Sequence, residues 1–146
     1  MENINTMKIA IFGALGVVGS IIANLLGGWD TALRTLILFM AVDYITGLIV
    51  AGVFKESKKS ESGALESGAG WKGLYKKGVT LLIVLVAVQL DLLTGTEMIR
   101  DMVIIGYTAN EAVSIIENAG LMGIPIPEIM KKSIDILQKK DGGLND

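Results

Sequence analysis

Thr35–Phe54, TLILFMAVDYITGLIVAGVF, is twenty residues long and carries a single charge, Asp43. As a helix it would reach roughly 30 Å at about 1.5 Å per residue, the thickness of a bilayer's hydrocarbon core. A soluble surface helix gathers its apolar residues in a stripe; here they surround the axis, so the segment is expected to span a membrane. Three further runs extend the pattern. Ile9–Leu26 has no charge, and Gly78–Leu90 is charge-free and continues apolar to Leu93, broken only by Asp91. Met102–Ile116 is weaker, because it holds Asn110 and Glu111.

The basic residues sort themselves around these runs. Lys55, Lys58, Lys59, Lys72, Lys76 and Lys77 separate the second run from the third, Lys131, Lys132, Lys139 and Lys140 follow the fourth, and Lys8 precedes the first. If all four runs cross, these 11 lie on one side and Arg34 and Arg100 on the other, together all 13. The positive-inside rule then predicts a cytoplasmic N-terminus, C-terminus and 55–77 loop. The expected fold is an all-α membrane protein. It is a single domain of four transmembrane helices, about 9–26, 35–54, 78–93 and 102–118, with a cytoplasmic tail over 119–146. The alternative has three spans, with the fourth helix lying at the interface and the C-terminal lysines outside. The first run resembles a secretory signal in having Lys8 ahead of apolar sequence. It is longer than a normal signal core and ends without a small-x-small pattern, so its retention as a span is expected.

Composition narrows the chemistry. The chain is 51% apolar, above the usual soluble range of about 45–50%. Its 146 residues contain no cysteine and no histidine, which removes thiol chemistry, the commonest metal ligand and the usual base near neutral pH. No zinc-protease, nucleophile-elbow or phosphate-loop pattern is present. Catalytic residues, metal and cofactor are therefore all expected to be none.

The polar groups within the runs are the candidate positions for pore lining or oligomer contact: Asp43, Thr46, Gln89, Asp91, Asn110, Glu111, Ser114 and Glu117. Asp43, Thr46 and Gly47 share one helical face near mid-span. A charge there costs about 2.5–3.5 kcal/mol on insertion scales and normally faces a bundle interior or water. Asp43 could equally accept a hydrogen bond from a neighbouring helix with no part in transport. Asn110, Glu111, Ser114, Glu117 and Asn118 form one stripe, suited to a bundle interior, a water-lined path or the interface. Gly13, Gly16, Ser20, Ala23 and Gly27 recur at spacings of three and four; with Gly47 they are candidate helix-packing positions, within or between subunits. The 57–70 stretch reads as a flexible, solvated loop. Trp71, Tyr75, Lys76 and Lys77 read as interfacial anchors, with lysines able to meet anionic lipid. Nucleic acid is not expected as a partner, because Glu56, Glu61 and Glu66 dilute the basic loop. Pro125 and Pro127 end the fourth helix, and an amphipathic helix bearing Ile126, Met130, Ile134 and Leu137 follows through about Lys140. Met1 and Met7 could each start translation.

Several of these segments together resemble the toxin-secretion/phage-lysis holin family of Gram-positive bacteria and their phages. The carrying residues are Asp43-Tyr44-Ile45-Thr46-Gly47, Gly70-Trp71-Lys72-Gly73-Leu74-Tyr75-Lys76-Lys77 and Asp91. Ala109-Asn110-Glu111-Ala112-Val113-Ser114-Ile115-Ile116-Glu117-Asn118 and Gly123-Ile124-Pro125-Ile126-Pro127 complete the series. The resemblance runs from about Thr35 to Lys132 and rests on the order and spacing of motifs that are individually weak. It implies a small protein of the bacterial cytoplasmic membrane that forms homo-oligomers and opens a timed lesion for an endolysin or a toxin, with three or four spans. Direct contact with that cargo is not implied. The competing expectation is a small ion or solute transporter or channel that uses Asp43 and Glu111 as a relay; its sign would be repeated half-domains or broken midplane helices.

Overall fold

A computed structural model describes residues 2–59, 61–64 and 66–142, and among them every regular element is helical. The helices are α1 (Glu2–Leu25), α2 (Thr31–Ile49), α3 (Ser67–Thr94), α4 (Ile99–Leu121) and α5 (Glu128–Gly142), and a π-helical turn, Val50–Phe54, extends α2. Asp30 starts α2 by accepting the Leu33 N–H at 2.9 Å, which satisfies one of the amides a helix start leaves free. Gly95, in the left-handed region at φ 69°, closes α3. Asp91, one turn before the end of α3, accepts the Ile99 and Arg100 N–H groups at 3.0 and 2.9 Å, so the last turn of one helix caps the first turn of the next. Gly123 at φ 73° ends α4, and Ile124 N–H returns to the Ala119 carbonyl at 2.9 Å. Pro125 and Pro127 then separate α4 from α5, the amphipathic C-terminal helix.

Two features differ from the sequence expectation. α3 begins at Ser67, well before Gly78, so Trp71–Lys77 lies on a helix in fixed phase with the apolar run. The connection before it is folded back on itself: Ser57 N–H donates to the Gly63 carbonyl at 2.9 Å, and Ser62 Oγ donates to Glu66 at 2.7 Å.

α4 packs along both α2 and α3. Asp30 and Arg100, near the starts of α2 and α4, are in contact, and so are Asp43 and Asn118 further along, so these helices run parallel. The Asp91–Arg100 cap makes α3 antiparallel to α4. Leu26, Leu33, Leu36, Met40, Val84 and Ile104 form the apolar core among them. α1 stands apart; its apolar side chains, Ile9, Phe12 and Val17 among them, are exposed. Among the described residues three helices are long and apolar enough to cross a membrane: α1, α2 with its π turn, and α3. α4 is 23 residues long but does not reach that apolarity, because it carries Arg100, Asp101, Asn110, Glu111, Glu117 and Asn118. The chain is an all-helical membrane protein.

Candidate functional site

Two polar layers cross the bundle. The first joins the helix ends. Arg100 is buried, and its guanidinium donates to the Leu26 carbonyl at 2.6 Å, to Asp30 Oδ2 at 2.6 Å, to Asp101 at 3.1 Å and to the Gly28 carbonyl at 3.3 Å. The fork thus ties the α1–α2 connection to the start of α4. Gly27 makes this approach feasible: its φ is +87°, and a Cβ there would lie 2.5 Å from Arg100 Nε. The hydrogen bond from Arg100 holds the Asp30 carboxyl below the usual carboxylate range.

The second layer lies roughly 20 Å along α2 from Asp30, at about 1.5 Å per residue. Lys77 of α3 places its ammonium 2.9 Å from Asp43 of α2 and 2.5 Å from Glu111 of α4. Asn118 donates to Asp43 Oδ1 at 3.2 Å and to Thr46 Oγ1 at 2.9 Å, and Thr46 in turn donates to the Asp43 carbonyl at 3.1 Å. Every partner is an ion, an amide, a hydroxyl or a carbonyl, so charges that hydrocarbon alone would not tolerate are paired within the chain. A cleft of about 1060 Å³ opens beside this layer, bounded by α2, α3, α4 and the 55–66 connection, and Tyr44, Tyr107 and Ser114 line it. Tyr44 lies over Gly70 and Gly73: its hydroxyl is 3.6 Å from where a Cβ on Gly70 would stand, and its ring 3.8–3.9 Å from one on Gly73.

The candidate positions divide accordingly. Asp43, Thr46 and Glu111 meet in the second layer; Asn110, Ser114 and Glu117 line the cleft, with Asn110 and Glu117 exposed. Asp91 is buried but belongs to the first layer, far from Asp43, and Gln89 is exposed. Gly47 faces Asn118 and Lys59, whereas Gly13 and Gly16 have nothing within 4 Å and Ser20 is exposed. Trp71 and Tyr75 are exposed and stand 6.1 Å apart in a tilted pair, and Lys76 is exposed too.

Lys77 is the departure. It turns inward as the counterion of two carboxylates, with its side chain only 14% exposed, whereas its neighbour Lys76 is exposed. A signal for this lies in the sequence: Lys77, Val84 and Asp91 recur every seven residues, and Val84 and Asp91 are both buried. That spacing carries meaning only once α3 is extended back to Ser67. Arg100, Asp30 and Lys59 were also missed as members of these layers. Nothing local in the sequence marks them, since their partners lie on other elements.

Comparison with known proteins bears on this arrangement. The bacteriophage holin family model matches residues 20–139. An uncharacterized 14.9 kDa protein in the nagH 3′ region of Clostridium perfringens is 39% identical over 96% of this chain and 99% of its own length. An uncharacterized protein of Listeria monocytogenes is 41% identical over 90% of this chain and 88% of its own. A probable holin of Bacillus phage phi105 is 31% identical over 66% of this chain and 67% of its own. No solved structure matches.

Proposed function

This chain belongs to the bacteriophage holin family, and from that premise we propose that it is a holin. It oligomerises in the bacterial cytoplasmic membrane and opens a timed lesion that releases an endolysin, or a toxin, without acting as an enzyme. The observation that carries this reading is the Asp43–Lys77–Glu111 layer. A monomer that pairs its intramembrane charges internally can insert and accumulate without harm. The same groups, turned toward one another across subunits or toward water, supply a hydrophilic wall. Oligomer growth then draws on helix packing and polar pairing, and opening on hydration of the cleft.

We further propose four spans with both termini cytoplasmic. α2 with its π turn measures about 36 Å and α4 about 35 Å at 1.5 Å per residue. The two are parallel, with their starts joined by the Arg100–Asp30 pair. If α2 crosses, a helix of equal length beside it in the same direction crosses too. The lysine distribution agrees, since it places the 55–66 connection and α5 on the same side.

The experiment is inducible expression in a bacterium, following membrane potential and viability with and without a co-expressed cytoplasmic endolysin. A holin gives abrupt, timed collapse of the potential, and lysis only with the enzyme. Graded, substrate-specific flux without killing would instead identify a transporter.

A further inference from the structure

The second polar layer does not balance its charge from the helices alone. Asp43 and Glu111 bring two negative charges and Lys77 one positive. The other positive charge within ion-pair range is Lys59, whose ammonium lies 3.8 Å from Asp43 Oδ2 at the end of a side chain that is 58% exposed. Lys59 comes from the 55–66 connection, and that segment is built to bring it there. The π turn ends at Lys55 in the left-handed region, φ 55°, which reverses the chain. Glu56 N–H bonds back to the Val50 carbonyl at 3.3 Å, and Ser57 N–H to the Gly63 carbonyl at 2.9 Å. Gly63 sits at φ +72°, where a Cβ would collide with the Lys55 carbonyl, so this closure requires glycine. On α2, Gly47 lies beside this approach: a Cβ there would stand in ordinary contact with the Lys59 ammonium, at 4.0 Å.

We propose that Lys59 is a withdrawable counterion, carried by a strap, residues 55–59 and 61–64, that closes the cleft over the buried layer. With Lys59 in place, two carboxylates face two ammonium groups. With the strap lifted, one negative charge is left uncompensated in a low-dielectric cleft, and water and small cations enter to solvate it. The exposed Lys58, Lys72, Lys76, Glu66 and Glu117 also face the cleft. They lie at its solvated rim, where screening blunts their effect on the interior. Strap closure is a property of the single chain; only its consequence, control over when the lesion opens, rests on the holin reading.

The test uses the absence of cysteine in the chain. A single Ser114→Cys reporter inside the cleft is labelled with a small, positively charged thiol reagent in open membrane fragments, where both faces are accessible and topology does not matter. Lys59→Gln is expected to raise the labelling rate several-fold. Lys59→Arg, which keeps the charge, and Lys58→Gln, its exposed neighbour, should stay at the wild-type rate. Gly63→Val should accelerate labelling as Lys59→Gln does, because it unfastens the strap without altering any charge. Adding Asp43→Asn to Lys59→Gln restores neutrality and should bring the rate back down. Equal rates for Lys59→Gln and Lys58→Gln, a wild-type rate in Gly63→Val, or a double variant as fast as Lys59→Gln each overturns the proposal. Killing and endolysin-dependent lysis are scored separately, so failure of the holin reading leaves the labelling result standing on its own.

Discussion

Lys77 of α3 binds Asp43 of α2 through a 2.9 Å ion pair while the same ammonium holds Glu111 of α4, and each carboxylate lies 34 residues from it along the chain. One lysine thereby fixes the relative depth of three helices. Because α3 runs antiparallel to α2 and α4, sliding any one of them would separate a charge from its partner within the bundle.

Removing that lysine should cost about as much as truncating a large apolar core residue. Breaking a buried pair by deleting one partner typically costs about 3–5 kcal/mol, since the remaining charge stays buried and unpaired. Lys77→Met is expected to lower membrane yield and the thermal midpoint in mild detergent, while Lys77→Arg retains most of both. Lys76→Met, on an exposed neighbour, should be close to wild type. A Lys77→Met protein as stable as wild type would show that the layer is already hydrated.

The contrast between Lys76 and Lys77 marks where sequence reading stops. Adjacent lysines before an apolar run look alike, and both suit a headgroup. Only the start of α3 at Ser67 gives them a helical phase, and only α2 and α4 supply the carboxylates. The long apolar runs, the polar face of α4 and the breaks at Gly123 and Pro125 were legible because each is local: length, periodicity and backbone geometry suffice. Asp91 looked like a polar group near the end of a span, yet it caps α4, because the turn at Gly95 folds Ile99 and Arg100 back onto it. Likewise, Arg100 counted only as an outer positive charge, although it is buried against carbonyls from the α1–α2 connection.

Asp43 separates a role for charge from one for hydrogen bonding. Asp43→Asn keeps an oxygen for Asn118 but leaves Lys77 and Lys59 facing Glu111 alone, an excess of positive charge. Asp43→Leu removes both functions. If charge balance sets the time of opening, Asn already shifts lysis timing in the expression assay, and Leu shifts it further. Wild-type timing and cross-linking in both variants would remove Asp43 from the mechanism.

The Arg100–Asp30 pair gives a pH signature. Arg100 lowers the Asp30 pKa in the folded state, so the stabilisation is complete above the ordinary carboxylate pKa and is lost as pH falls through the folded value. Thermal midpoints of the purified protein should therefore decline below about pH 4, and Asp30→Asn, which can still cap α2, should flatten that decline. Parallel pH profiles for the two proteins would mean that other carboxylates account for the acid sensitivity.

Topology is tested with single cysteines. At Ser62 and Ser133 they should resist an impermeant thiol reagent in intact cells, whereas one at Thr96, beside the Asp91 cap, should react. Labelling at 133 with protection at 62 would replace four spans with three and put α4 at the interface.

α1 carries the last prediction, because it is the helix for which the bundle offers no partner. Gly13 and Gly16 have open space where a side chain would be, Ser20 is exposed, and the helix joins the core only at Leu26 beyond its end. A span of this kind is covered either by lipid or by another copy. Apolar burial does not distinguish the two, since lipid tails are as apolar as the helix; close approach and dispersion contacts do. Small residues on one face permit that approach, and Leu at their positions would hold the helices apart. The Gly16→Leu/Ser20→Leu variant is therefore expected to insert normally, because leucine favours insertion, yet to give fewer cross-linked oligomers and delayed lysis. Unchanged cross-linking in that variant would mean that lipid covers this face and that subunits meet through α2, α3 or α4 instead.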